Sequence, residues 1–242
     1  MSILAIDTST MVSGAAIATK DRLIAEITMQ LKLPQSQVLL GHIKDVLNIA
    51  RVDKKTLEAI AISIGPGSFT GLRIGLATAK MMAYALDIPV VAVPSLKALA
   101  YHYPVPNVYV AATLDAQKGN AYVAIYEWNS KTQDFITVQD VSVRDFKQTV
   151  LDCNNLAKPV IFVGDIAQKK ADIIAELANE NVQLGLPHLC MPRAANVAMA
   201  AMPYMARGEF ANIMNLEPIY IRRSEAEVLW EKRHSRQELK EV

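Results

Sequence analysis

Little in this sequence marks it for export, for a membrane or for a nucleic-acid backbone. Two cysteines, Cys153 and Cys190, occur in 242 residues. They stand far apart with no CxxC, so neither a disulfide framework nor a thiolate metal cluster is encoded, and buried thiols in a reducing cytoplasm are expected. Charge of one sign is also missing. Lys and Arg number 25 against 24 Asp and Glu, a formal +1, without the basic field that grips phosphates on its own. No apolar run approaches the roughly 18 residues needed to span a bilayer. The N-terminus reaches Asp7 without a basic n-region, so no secretory signal is read there. The four histidines, His42, His102, His188 and His234, form no HxxxH or HExxH, so zinc or iron has no visible scaffold. No Ser-His-Asp set can be singled out, because triads are defined by geometry. What remains, 52% hydrophobic and 20% charged residues, is the composition of a globular protein of one or two domains.

Periodicity supplies the organisation. Alternating or continuous apolar runs predict strands over 3–7, 13–19 and 23–29. Next comes a helix whose stripe Leu39, Ile43, Val46, Leu47 and Ala50 holds one face. A buried strand over 57–64, a helix over 69–86 stopping before Pro89, a strand over 90–93 and a short helix over 95–102 follow. The segment 103–107 contains Pro104 and Pro106 and breaks both periods, placing a domain junction near residue 106. Beyond it the order recurs: strands over 108–113, 121–127 and 135–141, a helix over 144–153, a strand over 159–163, and helices over 168–180 and 194–207. Asp7 and Asp115 each follow a first apolar strand, and Gly65 and Gly164 each close the strand after the first helix. The pattern predicts a duplicated α/β architecture, with subdomains over 1–106 and 107–242 and a cleft between them.

The most informative stretch, Ile64-Gly65-Pro66-Gly67-Ser68-Phe69-Thr70-Gly71-Leu72-Arg73-Ile74-Gly75, joins a buried strand to a helix. It is not a Walker P-loop, since Leu72 stands where Lys would follow the glycine. It is neither GxGxxG nor GxSxG. Ser68 or Thr70 can cap the helix, and the turn has either a structural or an anion-binding role. Gly71, Gly75, Ala79 and Ala83 then lay a small-residue stripe along the helix. Interior glycines cost about 0.5–1 kcal/mol each against alanine, so a close backbone approach should offset them. A neighbouring element of the same chain or a second subunit can fill that groove. Asp7 and Asp115 could face one another across the cleft and hold Mg²⁺ with a nucleotide, or serve as caps and turn formers. The candidate nucleotide cleft comprises Asp7, Thr8, Ser9, Gly65, Gly67, Ser68, Asp115 and Gly164. The final residues balance Arg222, Arg223, Lys232, Arg233, Arg236 and Lys240 against Glu225, Glu227, Glu231, Glu238 and Glu241, reading as a solvated tail interrupted by Val228-Leu229-Trp230.

The segments Ile3-Leu4-Ala5-Ile6-Asp7-Thr8-Ser9-Thr10, Gly65 through Gly75, Pro89-Val90-Val91-Ala92-Val93-Pro94-Ser95-Leu96 and Glu217-Pro218-Ile219-Tyr220-Ile221-Arg222 resemble, in order, the bacterial TsaB (YeaZ) family. That resemblance implies an actin-like, Hsp70-like, sugar-kinase-like (ASKHA) fold. It implies a role in forming N6-threonylcarbamoyladenosine at position 37 of tRNAs that read ANN codons. In such systems TsaC-type enzymes make threonylcarbamoyl-adenylate and TsaD transfers the group. TsaB is the TsaD paralogue that holds TsaD in a productive complex joined by the ATPase TsaE, and tRNA is reached only through that complex. The HxxxH metal pair of TsaD would fall, aligned through Val93, on Ser95 and Leu99, which implies a non-catalytic paralogue with no metal and no cofactor beyond ATP or ADP with Mg²⁺ at the partner junction. An older label of M22 glycoprotease has no metal pair or nucleophile elbow to support it. The resemblance also implies that the first two long helices form the interface with TsaD, or with a second copy when TsaD is absent. The residues assigned to it are Leu39, Ile43, Val46, Leu47, Gly71, Gly75, Ala79 and Ala83. Gln35-Ser36 stands where the family usually has histidine-serine.

Overall fold

In a computed structural model, residues 2–30 and 35–222 are described. The charged tail from 223 onward, with Val228, Leu229 and Trp230, lies outside them. The sequence β1 (Ser2–Asp7), β2 (Val12–Thr19), β3 (Leu23–Gln30), α1 (Gln35–Ala50), β4 (Leu57–Ser63), α2 (Phe69–Leu86), β5 (Val90–Val93) and α3 (Ser95–Ala100) makes the first half. The second repeats it with β6 (Tyr109–Asp115), β7 (Asn120–Asn129), β8 (Asp134–Asp145), α4 (Phe146–Cys153), β9 (Val160–Val163), α5 (Asp165–Lys169), α6 (Ala171–Leu177), β10 (Val182–Leu184) and α7 (Ala194–Ala206). The sheet orders are β3-β2-β1-β4-β5 and β10-β9-β6-β7-β8. Read from β8, the second is the first again. In each, an antiparallel three-stranded meander continues through parallel crossovers, so Asp7 and Asp115 end equivalent central strands.

Period-2 alternation assigns the faces of these sheets. On β1, Leu4 and Ile6 meet α1 and α2, while Ile3 and Ala5 meet α7. The α7 side is built from Ala5, Ala16, Ala18, Ala59 and Ala61 against Ala194, Ala198 and Ala201, small residues that let helix and sheet approach closely. The second sheet lies between α4 to α6 on one side and α3 on the other. Each half therefore lends its last helix to the other: α3 covers β6 and α7 covers β1 and β2. Cys153 and Cys190 are free and buried, and burial, with Asp152 adding to it, pushes the Cys153 thiol up to about 12.

Several element boundaries differ from the sequence expectation. The helix expected over 168–180 is two helices parted at Lys170, whose φ of −120° and ψ of 37° leave the helical basin. The helix expected from 144 starts at Phe146, because β8 runs to Asp145, whose carboxylate accepts from Gln148 N at 3.0 Å as the N-cap. The helix expected over 95–102 ends at Ala100. Strand β10, Val182–Leu184, is three residues long with Gln183 at its centre, too short for a periodic signal.

The start of α7 depends on a remote acid. Glu26 of β3, nearly buried, accepts from Ala195 N at 3.0 Å and forms an ion pair with Arg193. Glu26→Ala would strand the buried Ala195 amide and leave the partly exposed Arg193 guanidinium to water. It is expected to lower stability by about 2 kcal/mol, a shift of the urea midpoint without change of slope.

Candidate functional site

Two surfaces compete for function: the outer faces of α1 and α2, and the cleft between the sheets. On α2 the small-residue stripe faces inward. Gly71, Gly75, Ala79 and Ala83 are all buried against the first sheet. A Cβ on Gly71 would overlap the carbonyl of Thr8, and one on Gly75 the hydroxyl of Thr8. The glycines are there because β1 passes within backbone distance of the helix. Likewise Leu39, Ile43 and Val46 are buried in the same core, with Leu47 half-buried at its edge. This corrects the expectation that these residues form a partner interface: their own chain already covers all of them but Leu47, which reaches the surface only at the edge of the core.

On α2 the solvent face lies roughly opposite the stripe, since two residues make 200° of rotation. Met81 is 67% and Tyr84 75% exposed, with Arg73 and Ala77 also outward. On α1, Leu40 and Ile49 are 63% and 66% exposed. Leu40 and Ile49, nine residues apart, lie on opposite flanks of α1, whereas Met81 and Tyr84, three residues apart, share the outward side of α2, which makes that side the docking candidate. Neither residue is marked in the sequence, because a lone outward Met or Tyr carries no periodic signal. The usable clue was the cost of the interior glycines, which argues for core and so puts any interface on the opposite face.

The cleft is a cavity of about 520 Å³. One lip is Ser9, Thr10 and Met11 of the β1–β2 turn with Gly67 to Thr70. The other is Leu114 to Gln117 with Tyr122 and Asp165. Of the expected nucleotide residues, Ser9, Gly67, Ser68 and Asp115 line it. Asp7, Thr8, Gly65 and Gly164 do not; all four are buried behind the walls. Ser68 caps α2 by accepting from Gly71 N, and Ser68 N donates to Ser9 O at 2.6 Å, so the glycine-rich turn is packed onto the neighbouring turn.

The two aspartates do not face one another. Asp7 is sealed: its Oδ1 accepts from Ser9 N at 2.8 Å and Ser9 Oγ at 2.7 Å, while Oδ2 and the neighbouring Ser63 hydroxyl lack a hydrogen bond of good geometry. Burial raises the Asp7 pKa above its ordinary 3.8, with the Ser9 donors opposing. Asp115 sits at the lip, and Lys169 donates to it and to Asp165 at 3.1 Å each. Burial works against the Lys169 charge, but Asp165 and Asp115 outweigh it and hold the pKa above the usual lysine value. This donor set does not fit a divalent cation, because one carboxylate is sealed and the other carries its own ammonium. Among the described residues no group of three or more His, Cys, Asp and Glu could hold a metal.

A raised carboxyl pKa contributes stability fully below the unfolded value, and the contribution is lost as pH rises through the folded one. Asp7→Asn, whose amide can donate to Ser63, is therefore expected to be at least as stable as the natural chain at about pH 7, with a flatter profile upward from about pH 4. Urea melts across that range check it.

Two five-stranded sheets of identical winding, each sharing a helix with the other around a central cleft, define the ASKHA class. Likeness to the ethanolamine utilization protein EutJ from Carboxydothermus hydrogenoformans, at a TM-score of 0.52 and 11% identity over 83% of this chain and 90% of that one, bears out the fold alone. Residues 34–230 match the family described as TsaD, tRNA N6-adenosine threonylcarbamoyltransferase. The tRNA threonylcarbamoyladenosine biosynthesis protein TsaB of Bacillus subtilis is 31% identical, covering 95% of this chain and 98% of that protein. Its Escherichia coli counterpart is 26% identical over 96% and 98%. YeaZ from Pseudomonas aeruginosa superposes with a TM-score of 0.74 at 26% identity, over 90% of this chain and 99% of that one. The chain belongs to the TsaB (YeaZ) family, within the wider TsaD family. Among the described residues no helix is long and apolar enough to cross a membrane.

Proposed function

We propose that this chain serves formation of N6-threonylcarbamoyladenosine at position 37 of ANN-decoding tRNAs as a non-catalytic scaffold and activator of TsaD. The observation that carries the reading is the use made of the two metal-pair positions. Ser95 Oγ, 3% exposed, accepts from Gly65 N at 3.0 Å, tying α3 to the glycine-rich turn. Leu99 is 1% exposed in the core and presses on the site of Gly164. Both positions are committed to structure, and an aliphatic side chain offers a Lewis acid no ligand.

The partner surface in this reading is the outward face of α2 around Met81 and Tyr84, with α1 packed beside it. TsaD occupies it in the working complex, which TsaE joins, and a second copy of this chain occupies it when TsaD is absent. The tRNA is reached through the complex. No nucleotide or metal is resident in this chain's own cleft; ATP or ADP with Mg²⁺ binds at the junction with the partner.

Titration of the isolated chain with ATP and Mg²⁺ in a calorimeter is expected to give no saturable heat. Saturable binding lost on Asp115→Ala would replace this reading with a nucleotide-dependent enzyme. Light scattering is expected to report a dimer of the chain alone that TsaD converts to a mixed complex, and a strict monomer that ignores TsaD would overturn the partner assignment.

A further inference from the structure

After α7 the chain returns to the first sheet and runs out along α2 to the cleft mouth. Its root is firm. Ala211 N donates to Val90 O at 2.8 Å, Ile213 and Leu216 pack into the core, and Lys80 Nζ donates to the carbonyl of Leu216 at 3.2 Å. Beyond Leu216 the segment is thinly held and stands over a hollow of about 360 Å³ against Arg73, Leu76, Ala77 and Lys80. Three points pin it. Ile219 N donates to Ile64 O at 2.7 Å. The Tyr220 ring lies 4.7 Å from that of Phe69, and its hydroxyl accepts from Arg73 Nε at 2.9 Å. Finally, Arg222 Nη1 crosses the mouth and donates to Ala116 O, in the β6–β7 turn, at 2.6 Å.

We propose that residues 217–222 are a latch across the cleft, with Arg222 as its catch. Everything upstream binds the strap to the first half, and Arg222 alone of these contacts reaches the opposite lip. Burial holds the Tyr122 pKa there above its ordinary value, with the Arg222 charge opposing. Ile219, Tyr220 and Arg222 all line the cleft, so the strap forms its third wall. Releasing one guanidinium frees the lips to separate without disturbing either sheet, because the rest of the strap stays rooted on α2. Segments with few buried contacts open at low free energy, as a latch must. Opening and closing of the cleft are thereby coupled to what engages residues 217–222, and through the Tyr220–Arg73 contact to the outward side of α2.

Hydrogen exchange on the full chain tests this. The reporters are the amides of Ala116, Gln117 and Asn120, bonded within the β6–β7 turn, and Ser68 N on Ser9 O. Arg222→Ala is expected to speed exchange at these amides about tenfold while amides of β1, β4, β6 and β9 are unchanged. Tyr220→Ala, which loosens the strap upstream and leaves Arg222 in the chain, is expected to move the same set. Unchanged lip protection in either variant would overturn the latch. So would acceleration spread evenly through the sheets, which would mark the strap as a plain stability element.

Discussion

Gly75→Leu is expected to unfold the protein or leave it close to unfolding, and to do so before any partner is offered. A side chain there must displace the Thr8 hydroxyl, itself fully buried, and then Ile62 behind it. Overpacking a dense core costs about 1–3 kcal/mol where it can relax. Here the obstacle is the end of a central strand pinned by the Ser9 bonds to Asp7, so about 3 kcal/mol or more is expected, much of a domain's usual margin. Gly71→Val should behave alike, since its obstacle is the Thr8 carbonyl and backbone cannot rotate away. Thermal or urea denaturation decides it. A Gly75→Leu protein with the natural midpoint and lost TsaD binding would restore the small-residue stripe as an interface and refute the core assignment.

Met81→Glu combined with Tyr84→Ala is expected to do the opposite. Both residues project into solvent, so the melting midpoint should stay within the small range of surface changes. If the outward face of α2 is the docking surface, a charge placed in its middle and loss of an aromatic anchor should weaken association with TsaD at least about 30-fold, about 2 kcal/mol. The same variant should shift the isolated chain from dimer to monomer. Retained affinity would move the interface elsewhere on the molecule. The two experiments separate cleanly, because one variant strikes the fold and spares the surface while the other reverses this.

The element order was legible because both halves write it in the same code: an apolar central strand ending in aspartate, a meander, then a strand closed by glycine. What local pattern could not reach were features decided by distant partners. Nothing near Glu26 says that it caps α7, and nothing near Tyr220 says that it stacks on Phe69. Lys170 breaks a helix whose apolar spacing runs on through Ile173, Ile174 and Leu177, since packing of α5 and α6 on different parts of the second sheet overrides propensity there. The stripe on α2 is legible but its direction is not, because periodicity defines a face without saying whether sheet or partner covers it. Asp7 was legible as a strand-end carboxylate. Its sealing behind the Ser9 turn depends on the glycine-rich loop packing over it, a contact between segments about sixty residues apart.

The most direct test of the scaffold reading is threonylcarbamoyl transfer to a cognate tRNA, reconstituted with TsaC, TsaD and TsaE from the same organism, with and without this chain. Modification is expected to require the chain, to survive Asp115→Ala in it, and to fail with the Met81→Glu, Tyr84→Ala variant. Transfer that proceeds undiminished when the chain is omitted would contradict the account.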